Sequence, residues 1–358
     1  LIVPGELLLV FSLLLGACVG SFLNVCIYRI PIEGLSIARP RGSFCPGCKT
    51  PIAIRDNVPI LSWLLLGGRC RSCKSSISFR YPFVESLTAL LFLAVAIRLG
   101  PAEGSTIDPV TAGTLVAGWL IVATLLVISW IDVDYQIIPD SLSVGGTTVA
   151  LWLSLALGEF PISSDIPFLD LGSAVGTQVP WGGGLAAAAA GGVLLQWAFW
   201  RWVPDWQGKR HSFKSCFLAG HVGAALSLLV AVALIEPGGL GHGALVGLRG
   251  ALVGMAVGSG VVWTIGRIGS LAFGKEAMGF GDVKLMAFLG AILGPVLVLA
   301  ALLLACLIGS VVGLAIRWRT GSSYIPFGPF LCTGAALLLL ARPEMNALWQ
   351  AYLGLLGS

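Results

Sequence analysis

Apolar runs long enough to cross a bilayer recur along this chain, separated by short polar loops. Hydrocarbon offers the backbone no water to bond, so such segments must close their hydrogen bonds internally, as helices or as a closed barrel. Runs of about 20 residues select the helix. The first of them, Leu7–Ile27, exceeds the roughly 7–15 residues of a signal-peptide core and meets no small-residue cleavage site, so a retained anchor is expected. Charged residues make up 11% of the 358, against about 25% in soluble domains, which excludes an ordinary water-soluble fold. The expected fold is all-α, a polytopic transmembrane helical bundle.

Lys and Arg in short loops orient the spans. Span 1, about Leu7–Tyr28, leads to a segment, Arg29–Arg80, with nine Lys/Arg against Glu33 and Asp56, expected in the cytoplasm. Spans 2 and 3, about Pro82–Leu99 and Gly113–Ile131, enclose a loop without Lys or Arg and return the chain to an acidic cluster. Span 4 is about Leu142–Leu157, span 5 about Gly182–Val203, span 6 about Phe217–Ile235 and span 7 about Leu248–Ser270. Val283–Ile316 reads as a hairpin bent near Gly294-Pro295, and Phe327–Leu340 as a last span. That gives about ten spans, with both acidic stations at the cytoplasmic face of the bacterial inner membrane. The lipid bilayer is then an obligate partner, and no nucleic-acid partner is expected.

The basic loop carries Cys45-Pro-Gly-Cys48 and, after 21 residues, Cys70-Arg-Ser-Cys73. Two such knuckles can present four thiolates tetrahedrally to Zn²⁺. The competing reading is two disulfides, which rarely persist in the cytoplasm. The loop is too small for a core of its own, so a structural metal would staple it. Cys18, Cys26, Cys216, Cys306 and Cys332 lie in apolar runs and read as small buried hydrophobes.

A carboxylate in hydrocarbon costs roughly 2.5–3.5 kcal/mol on insertion scales, which makes it a functional candidate by default. Asp132 and Asp282 are the two such groups best placed for general acid/base work. Two carboxyls about a water apart cannot both ionise, so one keeps a proton while the other activates water. The plain alternative for each is a turn or helix cap. Asp134 is a catalytic neighbour or a solvated acid, whereas Asp140, after Pro139 and before span 4, reads as an N-cap. Gly279 and Gly281 flank Phe280 and leave room for a close backbone approach. Lys284 either pairs with Asp282 or snorkels to the interface. Glu85 is an intramembrane acid with no evident partner, and His211 and His221 read as helix-bonded histidines. The loop Ile131–Ser141 holds three Asp and no Lys or Arg, an acidic patch expected to attract a basic peptide.

Taken together, Gly20-Ser21-Phe22-Leu23-Asn24-Val25 with Tyr28-Arg29, the four-cysteine loop, Asn57–Trp63, Arg80–Glu85, Asp132 with Ile138-Pro139-Asp140, Gly279–Leu285 and Ile325-Pro-Phe-Gly-Pro329 resemble the bacterial prepilin peptidases. The resemblance implies Asp132 and Asp282 as catalytic aspartates of a GxGD-type aspartyl endopeptidase. The implied substrates are type IV prepilins or pseudopilins, cleaved after Gly at the cytoplasmic face. It further implies N-methylation of the new terminus with S-adenosylmethionine, for which no Rossmann-type glycine loop is present. The family places the two aspartates closer together than the 150 residues here. The excess reads as an inserted hairpin at 160–242, between a first span (1–28), the cysteine loop (29–80), spans with the first aspartate (81–159) and spans with the second (243–358). The rivals are a peptidase without methyl transfer, a membrane assembly scaffold, and a cation transporter with mid-span acids.

Overall fold

The structure is a computed structural model that describes residues 5–156, 242–341 and 344, apart from 33, 39–42, 46, 102–106, 275–277 and 322–324. Among these the regular elements are helical: α1 (Gly5–Arg29), a 3₁₀ turn (Ile54–Asp56), α2 (Leu61–Leu65), α3 (Arg80–Leu99), α4 (Pro109–Tyr135), α5 (Asp140–Ala156), α6 (His242–Phe273), α7 (Phe280–Thr320) and α8 (Gly328–Leu340). Five of the described helices are long and apolar enough to cross a membrane: α1, α3, α4, α7 and the Gly250–Phe273 part of α6. The all-α expectation holds for the described residues, and α5 and α8 cover the runs expected at 142–157 and 327–340. The spans expected at 182–203 and 217–235, with His211 and His221, lie outside the described residues.

Two boundaries have a clear physical cause. α4 starts where Asp108 caps it, its carboxylate accepting the Val110 and Thr111 amides, with Pro109 in the first turn. It ends four residues later than the apolar run, at Tyr135, where Gln136 turns left-handed (φ 55°) and donates to the Asp132 carbonyl. Asp132 and Asp134 are therefore helical, not loop, residues. In α7 the expected break at Gly294 is present: φ 74° and ψ 177° suit only a glycine, and Pro295 follows without an amide to donate.

The chain forms two compact units, one of 1–139 with 300–341 and one of 140–299 with 342–358. In the first, α1 packs on α3 through glycines. A Cβ on Gly16 or Gly20 would stand 2.7 Å from the Ala89 or Glu85 Cα, so the two backbones touch directly. Without a hydrophobic drive between helices in lipid, such close packing is what holds spans together. α3 meets α4 at Gly118, beside the stacked rings of Phe92 and Trp119, 5.6 Å apart, where the Trp119 indole donates to the Phe92 carbonyl. α8 adds Leu331 and Leu339 to this core and crosses α7 at Gly334, close to the Ala301 carbonyl.

In the second unit, Gly254 of α6 and Gly290 of α7 face each other so closely that a Cβ on either would overlap the other's carbonyl. Gly146 of α5 lies under the Phe288 ring. Leu285, Met286, Leu289 and Leu293 of α7 are fully buried, which makes the stretch after Asp282 the core of this unit.

Candidate functional site

Asp132 sits in the last turn of α4 behind the fully buried Ile128 and Ile131, and is itself 6% exposed. A carboxylate at a helix C-terminus faces the negative end of the dipole and needs donors from elsewhere. The start of α8 supplies one: the Gly328 amide donates to Asp132 Oδ2 at 3.0 Å, across 196 residues of sequence. The next residue, Pro329, has no amide, and the Phe330 amide is turned to the Phe327 carbonyl. Gly328 is thus the donor that the helix end leaves for an outside acid. A Cβ at 328 would stand 2.6 Å from Oδ2, so the approach requires glycine here. Asp132 thus accepts from the start of a different helix from its own.

Two residues on, Asp134 pairs with Arg80 of α3 at 2.5 Å, and the Arg80 guanidinium lies 4.6 Å from the centre of the Trp130 ring. In the second unit, Asp140 opens α5 and pairs with Lys284, whose side chain is buried. The expected acidic patch is corrected by these two pairs. Two of its three carboxylates are matched by cations on other elements, which a search of the loop's own residues does not find.

Asp282 occupies the first turn of α7, where the helix dipole favours a negative charge. Its amide donates to the Gly279 carbonyl at 3.2 Å, closing the turn. A Cβ at Gly279 would lie 3.7 Å from Asp282 Oδ2, an ordinary contact. The close backbone approach expected at this glycine is absent from the described residues around it. Lys284, one turn after Phe280 in α7, lies 5.9 Å from the Phe280 ring centre as well as on Asp140.

The four loop cysteines converge, with their sulfurs within 4.8 Å of one another. The two knuckles are built alike. The Cys45 amide donates to the Thr50 carbonyl and the Cys45 carbonyl accepts from Lys49; Cys70 does the same with Ser75 and Lys74. Lys49 and Lys74 are left-handed at φ 59° and 60°, the same turn used twice. The Cys45 and Cys73 sulfurs are 3.7 Å apart, close to the edge of about 3.8 Å that a tetrahedron with 2.3 Å metal–sulfur bonds demands. The Cys48 amide and the Ser75 hydroxyl pull the Cys45 thiol down to about 6, and Ser75 also lowers Cys73. No disulfide joins the described cysteines. From within the second knuckle Arg71 forks onto Asp56 at 2.8 and 2.6 Å, and ahead of it Trp63 covers Gly68 and donates to the Ile77 carbonyl.

Glu85 of α3 has partners after all. It is 7% exposed, accepts the Ile60 amide at 2.7 Å and is hydrogen-bonded by the Ser21 side chain of α1. Neither this contact nor the Gly328 donor can be found from spacing, because each joins segments far apart in sequence. The one signal is indirect: both lie in stretches that carry the family resemblance without an assigned chemistry.

Residues 14–99 match the bacterial peptidase A24 N-terminal domain, and residues 221–314 match the type IV leader peptidase family. A prepilin leader peptidase/N-methyltransferase of Aeromonas hydrophila is 31% identical over 361 residues, covering 94% of this chain and 90% of its own. A type 4 prepilin-like proteins leader peptide-processing enzyme of Escherichia coli O78:H11 is 30% identical over 89% of this chain and 88% of its own. In Myxococcus xanthus a prepilin leader peptidase/N-methyltransferase is 44% identical over 154 residues, 43% of this chain and 42% of its own. No solved structure matches the chain.

Proposed function

The chain belongs to the prepilin leader peptidase/N-methyltransferase family, and from that premise we propose that it removes the basic leader of a type IV prepilin or pseudopilin and methylates the new N-terminal amine. Asp132 and Asp282 are the carboxyl pair of the cleavage. The ionised one takes a proton from water as the oxygen attacks the carbonyl of the leader's final Gly, and the protonated one hydrogen-bonds the developing oxyanion. Collapse of that intermediate breaks the C–N bond, and the amine leaves with a proton from the pair.

The observation that carries this reading is the buried Asp132 carboxylate held by the Gly328 amide. A solvated surface acid would need no such support. The basic loop Arg29–Arg80 favours the cytoplasmic face of the inner membrane for this chemistry. The four sulfurs fit a structural Zn²⁺, held by Cys45, Cys48, Cys70 and Cys73, which would tie the two knuckles into one loop. S-adenosylmethionine is the methyl donor of the second reaction and supplies an electrophilic methyl group.

The test is leader loss from a prepilin with a basic leader ending Gly-Phe, followed in membranes by gel shift. The unaltered chain cleaves, whereas Asp132→Asn and Asp282→Asn each lose roughly 10³-fold or more. Cleavage by both variants at the unaltered rate would return the two acids to capping roles.

A further inference from the structure

Three stretches stand outside the cleavage chemistry: Gly20–Val25, Asn57–Trp63 and Arg80–Glu85. The structure brings all three to one point. Gly20 sets the α1 backbone against the Glu85 Cα, which seats Ser21 on the Glu85 carboxylate. One turn on, the Asn24 side chain donates to the Tyr81 carbonyl at 3.2 Å and fixes the start of α3. Ile60 arrives from the cysteine loop in a γ-turn, φ 62° and ψ −54°, closed by the Leu61 amide on the Pro59 carbonyl at 2.6 Å. Positive φ is a genuine outlier for a β-branched residue, and such strain collects at functional sites. Here it aims the Ile60 amide at Glu85.

Glu85 is more than nine-tenths buried in a helix fit to cross a membrane, yet among the described residues no Lys, Arg or His pairs with it. Two neutral donors would be served equally well by a glutamine. A carboxylate offers about four lone-pair positions, so two donors leave room for more. A buried charge without its counter-ion is retained at a cost unless a ligand brings one.

Resting on the methyl transfer proposed above, we infer that Glu85 receives the N-terminal ammonium of the cleaved substrate and takes its proton before methylation. Methyl transfer involves two cations, the ammonium and the sulfonium. The ammonium is the one with N–H groups to fill the remaining lone pairs. The N–H proton passes to the Glu85 carboxylate, and the freed nitrogen lone pair attacks the methyl carbon. The C–S bond breaks with its electrons going to sulfur, leaving a thioether and a methylammonium. Glu85 then loses its proton to water.

The experiment uses the full chain in detergent micelles without methyl donor. It compares a peptide beginning with Phe and bearing a free amine with the same peptide N-acetylated. The unaltered chain should bind the free amine about tenfold or more tighter, and Glu85→Gln should lose that preference while binding the acetylated form as before. With S-adenosylmethionine added, mass spectrometry should show methyl transfer down about 100-fold or more in Glu85→Gln, partly restored in Glu85→Asp, with leader cleavage kept. A preference that survives Glu85→Gln overturns the inference. So does parallel loss of both peptides, which would make Glu85 only a latch between α3 and the cysteine loop. If the unaltered chain prefers the free amine but never methylates it, the methyl-transfer reading fails while ammonium binding by Glu85 stands.

Discussion

The two aspartate stations solve one problem in opposite ways. Asp282 lies in the first turn of its own helix, where the α7 dipole favours a carboxylate and the Gly279 carbonyl closes the turn. Asp132 lies in the last turn of α4, at the unfavourable end, and depends on the Gly328 amide of α8. The contacts described at the second station lie within a few residues, whereas the support of the first exists only once α4 and α8 have packed. A carboxylate supported from another helix is exposed to any change in how the helices meet.

This contrast can be broken by experiment. Gly328→Ala places a methyl group 2.6 Å from Asp132 Oδ2, so the amide must withdraw. Loss of one charge-assisted hydrogen bond of about 1.5–3 kcal/mol predicts cleavage roughly 10–100-fold slower by the gel-shift assay. Gly279→Ala adds a methyl group at an ordinary 3.7 Å from Asp282 and is expected to lose less. Equal losses at the two glycines would end the distinction between a tertiary and a local station.

Metal removal tests a region held by neither device. A chelator, or Cys73→Ser, should take bound zinc from one per chain to near none by atomic spectroscopy. Leader cleavage should fall less than methyl transfer, because the four thiols belong to the loop that carries Ile60 to Glu85. Protons compete with zinc for the four thiolates, so zinc retention should weaken on acidification and not on alkalinisation.

The smallest effect is expected beside the first station. Arg80→Ala removes a part-exposed ion pair with Asp134 and a ring contact with Trp130. Exposed pairs contribute about 0.2–1 kcal/mol, so thermal unfolding in detergent should shift only slightly and cleavage little. A large loss of cleavage with an unchanged melting point would show that this pair helps to place Asp132.

Much of this architecture is legible in the residue order alone. The spans at 7–28, 82–99 and 113–131, the break at Gly294-Pro295 and the paired cysteines all follow from local hydropathy, backbone freedom and spacing. Hydropathy puts the first station in a loop, a few residues off, because the apolar run stops at Ile131 while hydrogen bonding carries the helix to Tyr135. The acidic patch fails for a related reason. Counting charges along one loop misses Arg80 and Lys284, which arrive from other helices.

The sequence alone determined that the chain is a bundle of membrane helices with a four-thiol loop and acids in its apolar segments. Those are properties of composition and short spacing, which helical hydrogen bonding and the repeated knuckle turn convert directly into structure. Packing sets which group supports Asp132 and Glu85. Gly328 reaches Asp132 across 196 residues and Ile60 reaches Glu85 across 25, through a packed helix end and a strained turn. A hydrogen bond requires its partners within about 3 Å, and nothing in the spacing of residues so distant sets that separation until the helices have packed.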